Sequence, residues 1–570
     1  MARNSHLFDI LREKALDGVL KKYVNLDDDG EVDRFLKSLL LVNLDNVNLL
    51  RYLMKLDTEQ INFNEISPVS FSQIDDYEGQ ISYKRLGVDM IRGGRVAFLI
   101  FSGGAATRLK EQYPELRGLY LNTFGIDIGH DPNLPKGLIP ITPAGYFTFI
   151  HLFAEQLLRL QYEYRTIINL IVMVSGLTES YIRDYFESNN YFGLMRRAVF
   201  FLRQRENPRL DEEGDMIFDG EKIITTGDGH GGVFRALIES HLRDELIIRG
   251  VDAVVMFNVD NPLARFFDPI RIGYHFARNS EFTISAVKKT EPSEKIGVVA
   301  LDGKLDRYRV VEYNLLRDEQ KNLRDGNNDL LYSCGHINVN IAGLSIVDKK
   351  FSPIIYRNKK IIVRNRQILT NSLEWLNQDI VTVLPKSVVN ILGLKREDFF
   401  LPTKNVKGVD SIGTTIEGLN RYYKSLLDNS CKFHKSSVID LSPSFILDER
   451  DNHRLRNLTM EENTLFFVRG CLDANEEYLL LNKGITIERG GVLKIICKNP
   501  FGDFDYDYVS NSATPNKRLA SKIQINKPIR IKAGSKILFE IEEGGMLIVN
   551  SEEFMGEIGL RVERNQKVEI

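Results

Sequence analysis

Short apolar runs alternate with helix-like patterns over the middle of the chain, from about residue 90 to residue 400. Each run is continuous and bounded by turn residues, which is typical of a buried strand. The stretches between them carry apolar residues at helical spacing, at 149–160 and 233–242. This alternation predicts a three-layer α/β fold with a mainly parallel sheet, whose ligands bind beyond the carboxyl ends of the strands. The predicted strands are 96–101, 167–174, 253–257 and 282–287.

The two ends of the chain have different patterns. Residues 1–90 show helical spacing of apolar positions, at 7, 10, 11 and 15 and again at 35, 36, 39 and 40. Beyond about residue 426, short alternating segments with glycine turns predict a β-rich region, either a small β-helix or a sandwich. We therefore expect a helical segment at 1–90, an α/β domain at 91–425 and a β-rich domain at 426–570. The β-rich domain is expected to have a structural or oligomerising role.

Composition narrows the class of protein. The chain has 570 residues, 43% of them hydrophobic and 27% charged, with a formal net charge of −3. This near-neutral balance argues against a dedicated nucleic-acid binder, and no apolar stretch reaches the length of a membrane span. Four widely spaced cysteines and a polar start favour reduced thiols and a cytoplasmic location. The sequence leaves open whether the protein is a monomer or a homo-oligomer.

The first chemical feature is the loop after the strand at 96–101. Gly103 and Gly104 allow main-chain N–H groups to approach a ligand closely, and Arg108 supplies a planar cationic fork. Together with Lys136, they favour a backbone cradle for phosphates. The loop matches neither a P-loop nor a dinucleotide fingerprint, and an ordinary strand-to-loop turn is the alternative.

Three later segments could extend such a site. Residues 227–232 hold four glycines just before a predicted helix, so they could present amide groups to a planar base; a flexible turn is the alternative. Asp260 follows a predicted strand and suits Mg²⁺, which prefers carboxylates and phosphate oxygens, although an Asx turn would look the same. Lys404 with Arg108 and Lys136 would offset triphosphate charge.

Taken in order, these motifs resemble those of the eukaryotic-type UDP-sugar pyrophosphorylases, most closely the N-acetylhexosamine branch. The likeness runs from about residue 85 to residue 410. It rests on the segments 102–109, 135–137, 191–194, 229–237, 259–261, 291–299, 310–313 and 402–405.

The resemblance implies a Rossmann-like nucleotidyltransferase that joins UTP to a sugar 1-phosphate with Mg²⁺ and releases pyrophosphate. It places Gly103, Gly104, Gln204, Gly231 and Gly232 around the uridine. The remaining implied roles are phosphate contacts for Arg108, Lys136 and Lys404, metal binding for Asp260, and sugar contacts for Gly297, Glu312, His336 and Asn338.

This chain departs from the family pattern at four places. Ala106 replaces a glycine of the first loop, and residues 110–134 form an insert that is either a lid or a surface excursion. A basic residue expected near 146–151 is missing or replaced, and His336 stands in a segment where the family has an asparagine. The sugar therefore stays open between N-acetylglucosamine, glucose and galactose 1-phosphates. A nucleotide-sugar-binding regulator without catalysis and an interaction scaffold stay open as well.

Overall fold

The computed structural model describes most of the chain. The described segments are 17–56, 65–73, 77–104, 107–145, 147–313, 315–427, 429–470, 483–498, 503–516 and 520–570. The helical pattern predicted around residues 7–15, Ala106 and the start of segment 146–151 lie outside them. No helix among these segments is both long enough and apolar enough to span a bilayer.

Helices surround a large sheet. They span Asp17–Tyr23, Asp29–Leu39, Leu44–Lys55, Tyr77–Arg92, Thr107–Glu111, Tyr113–Phe124, Phe149–Tyr164, Glu179–Ser188, Val233–Glu239, Leu242–Ile248, Pro269–Ala277, Asp318–Asn322, Arg396–Phe399 and Ile412–Ser425. The strands up to residue 394 are β1 (Ile66–Pro68), β2 (Val96–Phe101), β3 (Asn169–Val174), β4 (Val199–Arg203), β5 (Glu206–Pro208), β6 (Thr225–Gly227), β7 (Ala253–Asn258), β8 (Phe282–Lys288), β9 (Val298–Asp302), β10 (Arg307–Val311), β11 (Cys334–His336), β12 (Val339–Gly343), β13 (Ile354–Val363), β14 (Arg366–Glu374) and β15 (Val389–Leu394).

The strands expected from the apolar runs form the centre of the sheet. The order is β1-β9-β11-β8-β12-β7-β2-β3-β4, with β10 beside β9 and β15 beside β8. Strands β7, β2, β3 and β4 pair in parallel, and β2 and β3 are buried along their whole length, as two-sided cover by helices requires. The carboxyl ends of these four strands therefore meet at one edge.

The other half of the sheet is less parallel than the alternation predicts. Strand β12 runs antiparallel to β7 and β8, and β9 is antiparallel to β1, β10 and β11. Parallel neighbours need a long crossover, whereas β9 and β10 are joined by a short turn at 303–306. The result is a mixed sheet.

The amino-terminal helices pack on the α/β region. Phe35, fully buried, meets Phe218 edge-on at 5.4 Å between ring centroids. The helix Tyr77–Arg92 crosses Pro269–Ala277 closely, since a Cβ at Gly87 would lie 1.8 Å from the carbonyl oxygen of Pro269. The domain limits at residues 90 and 425 stay predictions.

The β-rich region is a parallel stack of short strands. Two five-stranded sheets and one three-stranded sheet form its faces, and all their pairs are parallel. This is the β-helix alternative, and it excludes an antiparallel sandwich. Its strands, with an antiparallel hairpin at β22–β23, are β16 (Lys432–Phe433), β17 (Val438–Leu441), β18 (Leu458–Met460), β19 (Leu465–Arg469), β20 (Ile485–Ile487), β21 (Val492–Cys497), β22 (Asp503–Asp507), β23 (Ser512–Asn516), β24 (Lys522–Ile525), β25 (Ile529–Ile531), β26 (Lys536–Ile541), β27 (Met546–Val549), β28 (Glu553–Phe554), β29 (Glu557–Val562) and β30 (Lys567–Glu569).

The insert at 110–134 is anchored to the core. Its helix Tyr113–Phe124 buries Leu116 and Tyr120 completely, and the hydroxyl of Tyr120 donates to the carbonyl of Pro140. Apolar burial of this kind holds a segment in place. The helix of the insert is therefore part of the packed domain rather than a plain surface excursion, and a lid over the phosphates stays a prediction.

Candidate active site

A cavity of about 800 Å³ opens at the edge where the parallel strands end. The loop with Gly103 and Gly104 follows β2, Gln204 follows β4, and Asp260 follows β7, and all four residues line the cavity with Lys136. The strand order brings these distant positions together, as expected for ligand sites in such sheets. We call this side of the site the nucleotide half.

Gln204 fixes the shape of the nucleotide half. A Cβ placed on Gly103 would lie 2.7 Å from Oε1 of Gln204, and one on Gly227 would lie 1.8 Å from its Nε2. The amide is thus held between two glycines, and larger residues there would displace it. Gly104 differs, because a Cβ placed on it would meet nothing within 4 Å.

A pair of charged side chains marks the phosphate side of the cavity. Lys136 Nζ donates to Asp260 Oδ2 at 3.2 Å and to the carbonyl oxygen of Thr403 at 2.9 Å. The main-chain N–H of Thr403 in turn donates to the carbonyl oxygen of Asp260. The neighbouring Lys404 Nζ donates to the carbonyl oxygen of Lys295 at 3.4 Å. Arg108 lies in the helix Thr107–Glu111, but its side chain is outside the described part.

The second glycine loop meets the cavity along part of its length. Gly231 and Gly232 are buried behind the cavity wall, where a Cβ on Gly231 would lie 2.6 Å from the carbonyl carbon of Trp375 and one on Gly232 would lie 2.2 Å from Asp228 Oδ2. Of this loop, Gly227, Gly229 and His230 line the cavity. Burial raises the pKa of Asp228 to about 7.

The four predicted sugar residues lie together beside the cavity rather than in its wall, and Asn338 bonds to Asn258, which does line the cavity. We call this group the sugar half. The N–H of His336 donates to the carbonyl of Gly297 at 2.8 Å, and a Cβ on Gly297 would lie 3.6 Å from Glu312 Oε1. Burial raises the pKa of Glu312, and the charge of Lys404 partly offsets this. The charge of Lys404 therefore acts on the sugar half.

Asparagine side chains build most of the sugar half. Asn338 Nδ2 donates to Asn258 Oδ1 at 2.8 Å, and Asn338 Oδ1 accepts from Asn340 and Asn377. Asn340 Oδ1 lies 3.2 Å from His336 Nε2, while Asn340 Nδ2 donates to Asn338 and Asn377. An amide oxygen only accepts, so His336 Nε2 donates and the ring proton lies on Nε2. Burial lowers the pKa of His336 to about 4, consistent with a neutral ring.

His230, Asn340, Asn377 and Gln378 are absent from the residues that the sequence predicts for the site. His230 Nδ1 accepts the main-chain N–H of Asn377 at 3.0 Å, so the ring proton lies on Nε2. Burial and the neighbouring His336 lower the pKa of His230 to about 3. The histidine inside a glycine loop is a usable signal, whereas nothing in the local pattern marks Asn377 or Gln378.

Comparison with known proteins identifies the family of this chain. The model of the UTP–glucose-1-phosphate uridylyltransferase family matches residues 124–467, more than half of the chain. The chain belongs to this family.

Individual relatives agree with this membership. The chain is 28% identical over 436 residues to a probable UDP-N-acetylglucosamine pyrophosphorylase of Dictyostelium discoideum, covering 72% of this chain and 84% of that protein. It is 31% identical over 285 residues to the UDP-N-acetylglucosamine pyrophosphorylase of Saccharomyces cerevisiae, which covers 49% of this chain and 54% of the yeast protein. The yeast alignment thus spans about half of that relative.

Solved structures share the fold. The UDP-N-acetylglucosamine pyrophosphorylase of Trypanosoma brucei superposes with a TM-score of 0.61 at 22% identity, covering 79% of this chain and 94% of that chain. A putative UDP-N-acetylglucosamine pyrophosphorylase of Entamoeba histolytica gives 0.59 at 24% identity, covering 70% and 100%.

Proposed function

We propose that this chain is a uridylyltransferase that converts UTP and N-acetylglucosamine 1-phosphate to the UDP-sugar and pyrophosphate. The observation that carries the proposal is the Gln204 amide, held between Gly103 and Gly227 at the mouth of a strand-end cavity that also contains Lys136 and Asp260. An amide offers one donor face and one acceptor face, which suits the edge of uracil.

The reaction follows from this placement. An oxygen of the sugar phosphate forms a bond to the α-phosphorus of UTP, the bond from that phosphorus to the bridging oxygen breaks, and pyrophosphate leaves. Both reactants are anions, so positioning and charge neutralisation supply most of the acceleration. Lys136 and Lys404 would bring positive charge to the phosphates, as would Arg108, and we expect Arg108→Ala to lower turnover at least a hundredfold with the fold intact.

Asp260 fits one part of a magnesium site. Its carboxylate lines the cavity and is partly exposed, while its Oδ2 contacts Lys136. Among the described residues, no three His, Cys, Asp or Glu side chains are grouped to hold a metal ion. Asp260 would therefore hold Mg²⁺ only together with phosphate oxygens of the substrates. A bound Mg²⁺ would supply additional charge neutralisation there.

One observation favours glucose 1-phosphate as an alternative substrate. Two histidines lie near the proposed sugar position, the half-buried His230 in the cavity wall and the buried His336, and their size would change the space for a 2-acetamido group. A glucose 1-phosphate uridylyltransferase is therefore the alternative.

Pyrophosphate release distinguishes these possibilities. The full chain is assayed with UTP, Mg²⁺ and each of N-acetylglucosamine, glucose and galactose 1-phosphates. We expect the highest kcat/KM with N-acetylglucosamine 1-phosphate. A higher value with glucose 1-phosphate would establish the alternative, and UTP binding without release from any sugar would indicate a regulatory binding protein.

A further inference from the structure

The short 3₁₀ turn Asn377–Thr382 touches both halves of the site. The N–H of Asn377 holds His230, its Nδ2 donates to Asn338 Oδ1 at 2.9 Å, and its Oδ1 accepts from Asn340 at 2.8 Å. The next residue, Gln378, reaches Glu312. This turn thus connects residues that lie far apart in the chain.

Gln378 is an unusual residue to bury at this place. It is 2% exposed, and its Nε2 donates to Glu312 Oε1 at 3.4 Å. Its carbonyl Oε1 accepts no hydrogen bond from any described residue. An unmatched buried carbonyl costs stability, which an apolar side chain of the same shape would avoid. The amide donor of Gln378 therefore needs a functional reason.

Glu312 supplies that reason. Its carboxylate is half-buried, which raises its pKa, and Asp379 on the turn of Gln378 lies near enough for the charge of Glu312 to raise the pKa of Asp379. A carboxylate in such surroundings tends to rotate away or take up a proton unless a donor holds one of its oxygens. With Oε1 held by Gln378, Oε2 is left to accept a hydrogen bond from a sugar hydroxyl.

We propose that Gln378 is a positioning residue that fixes the carboxylate of Glu312 for recognition of the sugar, without a part in binding the nucleotide. This inference rests on the proposed function, because it assigns the sugar to the space beside Glu312. It predicts that the residue favours substrate discrimination at the expense of stability.

Calorimetric titration of the full chain with UDP-N-acetylglucosamine and, separately, with UDP tests the proposal. In Gln378→Met, which keeps the side-chain length, we expect the Kd for the UDP-sugar to rise about tenfold. The Kd for UDP should stay within twofold, and the melting temperature should be unchanged or higher. Gln378→Asn keeps an amide but is too short to reach Glu312, so it should show the same split.

Gln161→Met is the matched control. Gln161 is also fully buried with an unmatched Oε1, but its Nε2 contacts Gly193 and Tyr506, away from the cavity. We expect both Kd values to stay at those of the wild type.

The outcomes separate the two proposals. If the wild type binds both probes and the Gln378 variants change both affinities equally, or neither, the role of Gln378 is wrong and the proposed function stands. If the wild type binds neither UDP nor UDP-N-acetylglucosamine, the proposed function is wrong, and the role of Gln378 that depends on it is wrong as well.

Discussion

The two halves of the site are built by different physical means. In the nucleotide half, the close approach of the backbone determines the shape, because Gly103 and Gly227 leave only enough space for the amide of Gln204. In the sugar half, hydrogen bonds between side-chain amides determine the shape. They join Asn338 and Asn377 and hold His336 in one tautomer.

This difference sets how each half responds to change. A steric contact fails as soon as a methyl group is added, whereas a hydrogen-bonded network fails when one donor or acceptor is removed. Changes in either half should therefore affect one substrate and spare the other. The charged residues Lys136, Asp260 and Lys404 should affect both substrates, because we propose that they act on the reacting phosphates.

The largest effect is expected at these charged residues. Lys136→Ala removes the cation that contacts Asp260, and we expect kcat to fall at least a hundredfold, which corresponds to about 3 kcal/mol of transition-state stabilisation. Steady-state pyrophosphate release measures it. Lys136→Arg keeps the charge and should recover part of the rate. Near-normal turnover in the alanine variant would remove Lys136 from the catalytic role.

A smaller effect is expected at the glycines of the nucleotide half. Gly227→Ala places a methyl group 1.8 Å from Gln204 Nε2, so the amide must move, and we expect the Kd for UTP to rise about tenfold, or about 1.4 kcal/mol. Gly559→Ala is the control, since Gly559 lies in β29, does not line the cavity, and its added methyl group would meet nothing within 4 Å. Equal losses in the two variants would mean that the contact with Gln204 does not set the affinity.

These contrasts also explain what the sequence can predict. The central strands are predictable because burial on both faces leaves a continuous apolar run, and the loops around Gly103 and Asp260 follow from strand ends. The antiparallel half of the sheet is not predictable in this way, because the direction in which strands pair depends on the segments that connect them rather than on the pattern of apolar residues.

The sugar half shows the same limit. Gly297 and Glu312 come from the family resemblance, and the structure places them side by side. Asn377 and Gln378 act only because the turn that carries them folds back on Glu312 and His230. Their part in the site therefore becomes visible only in three dimensions.

The smallest expected effect concerns stability, and each half has a buried carboxyl group that reports on it. Burial raises the pKa of Asp228, behind the nucleotide half, and of Asp379, beside Glu312, to about 7 from an ordinary value of 3.8. The folded state holds these protons more tightly than the unfolded chain, so their contribution to stability is complete below pH 3.8 and is lost as the pH rises through 7.

Asp228→Asn and Asp379→Asn replace the titrating carboxyl group with a neutral amide, so these variants should not lose this stability as the pH rises. Relative to the wild type, the melting temperature of each variant should rise by a few degrees between about pH 5 and pH 8, as thermal unfolding at both pH values would show. The difference in melting temperature between variant and wild type is the relevant quantity. The lowered pKa values of His230 and His336 make stability rise with pH, which is opposite to the effect of the two carboxyl groups. A difference that is constant with pH would contradict the raised pKa values.

The separation of the halves is tested most directly by the two KM values of two variants, Gly227→Ala and Glu312→Gln, in the same pyrophosphate-release assay. The account predicts that Gly227→Ala raises the KM for UTP and leaves that for N-acetylglucosamine 1-phosphate within twofold. Glu312→Gln should do the reverse, because its neutral amide is a weaker acceptor for the sugar hydroxyls. If either variant raises both KM values by the same factor, the two halves do not act separately and the account is wrong.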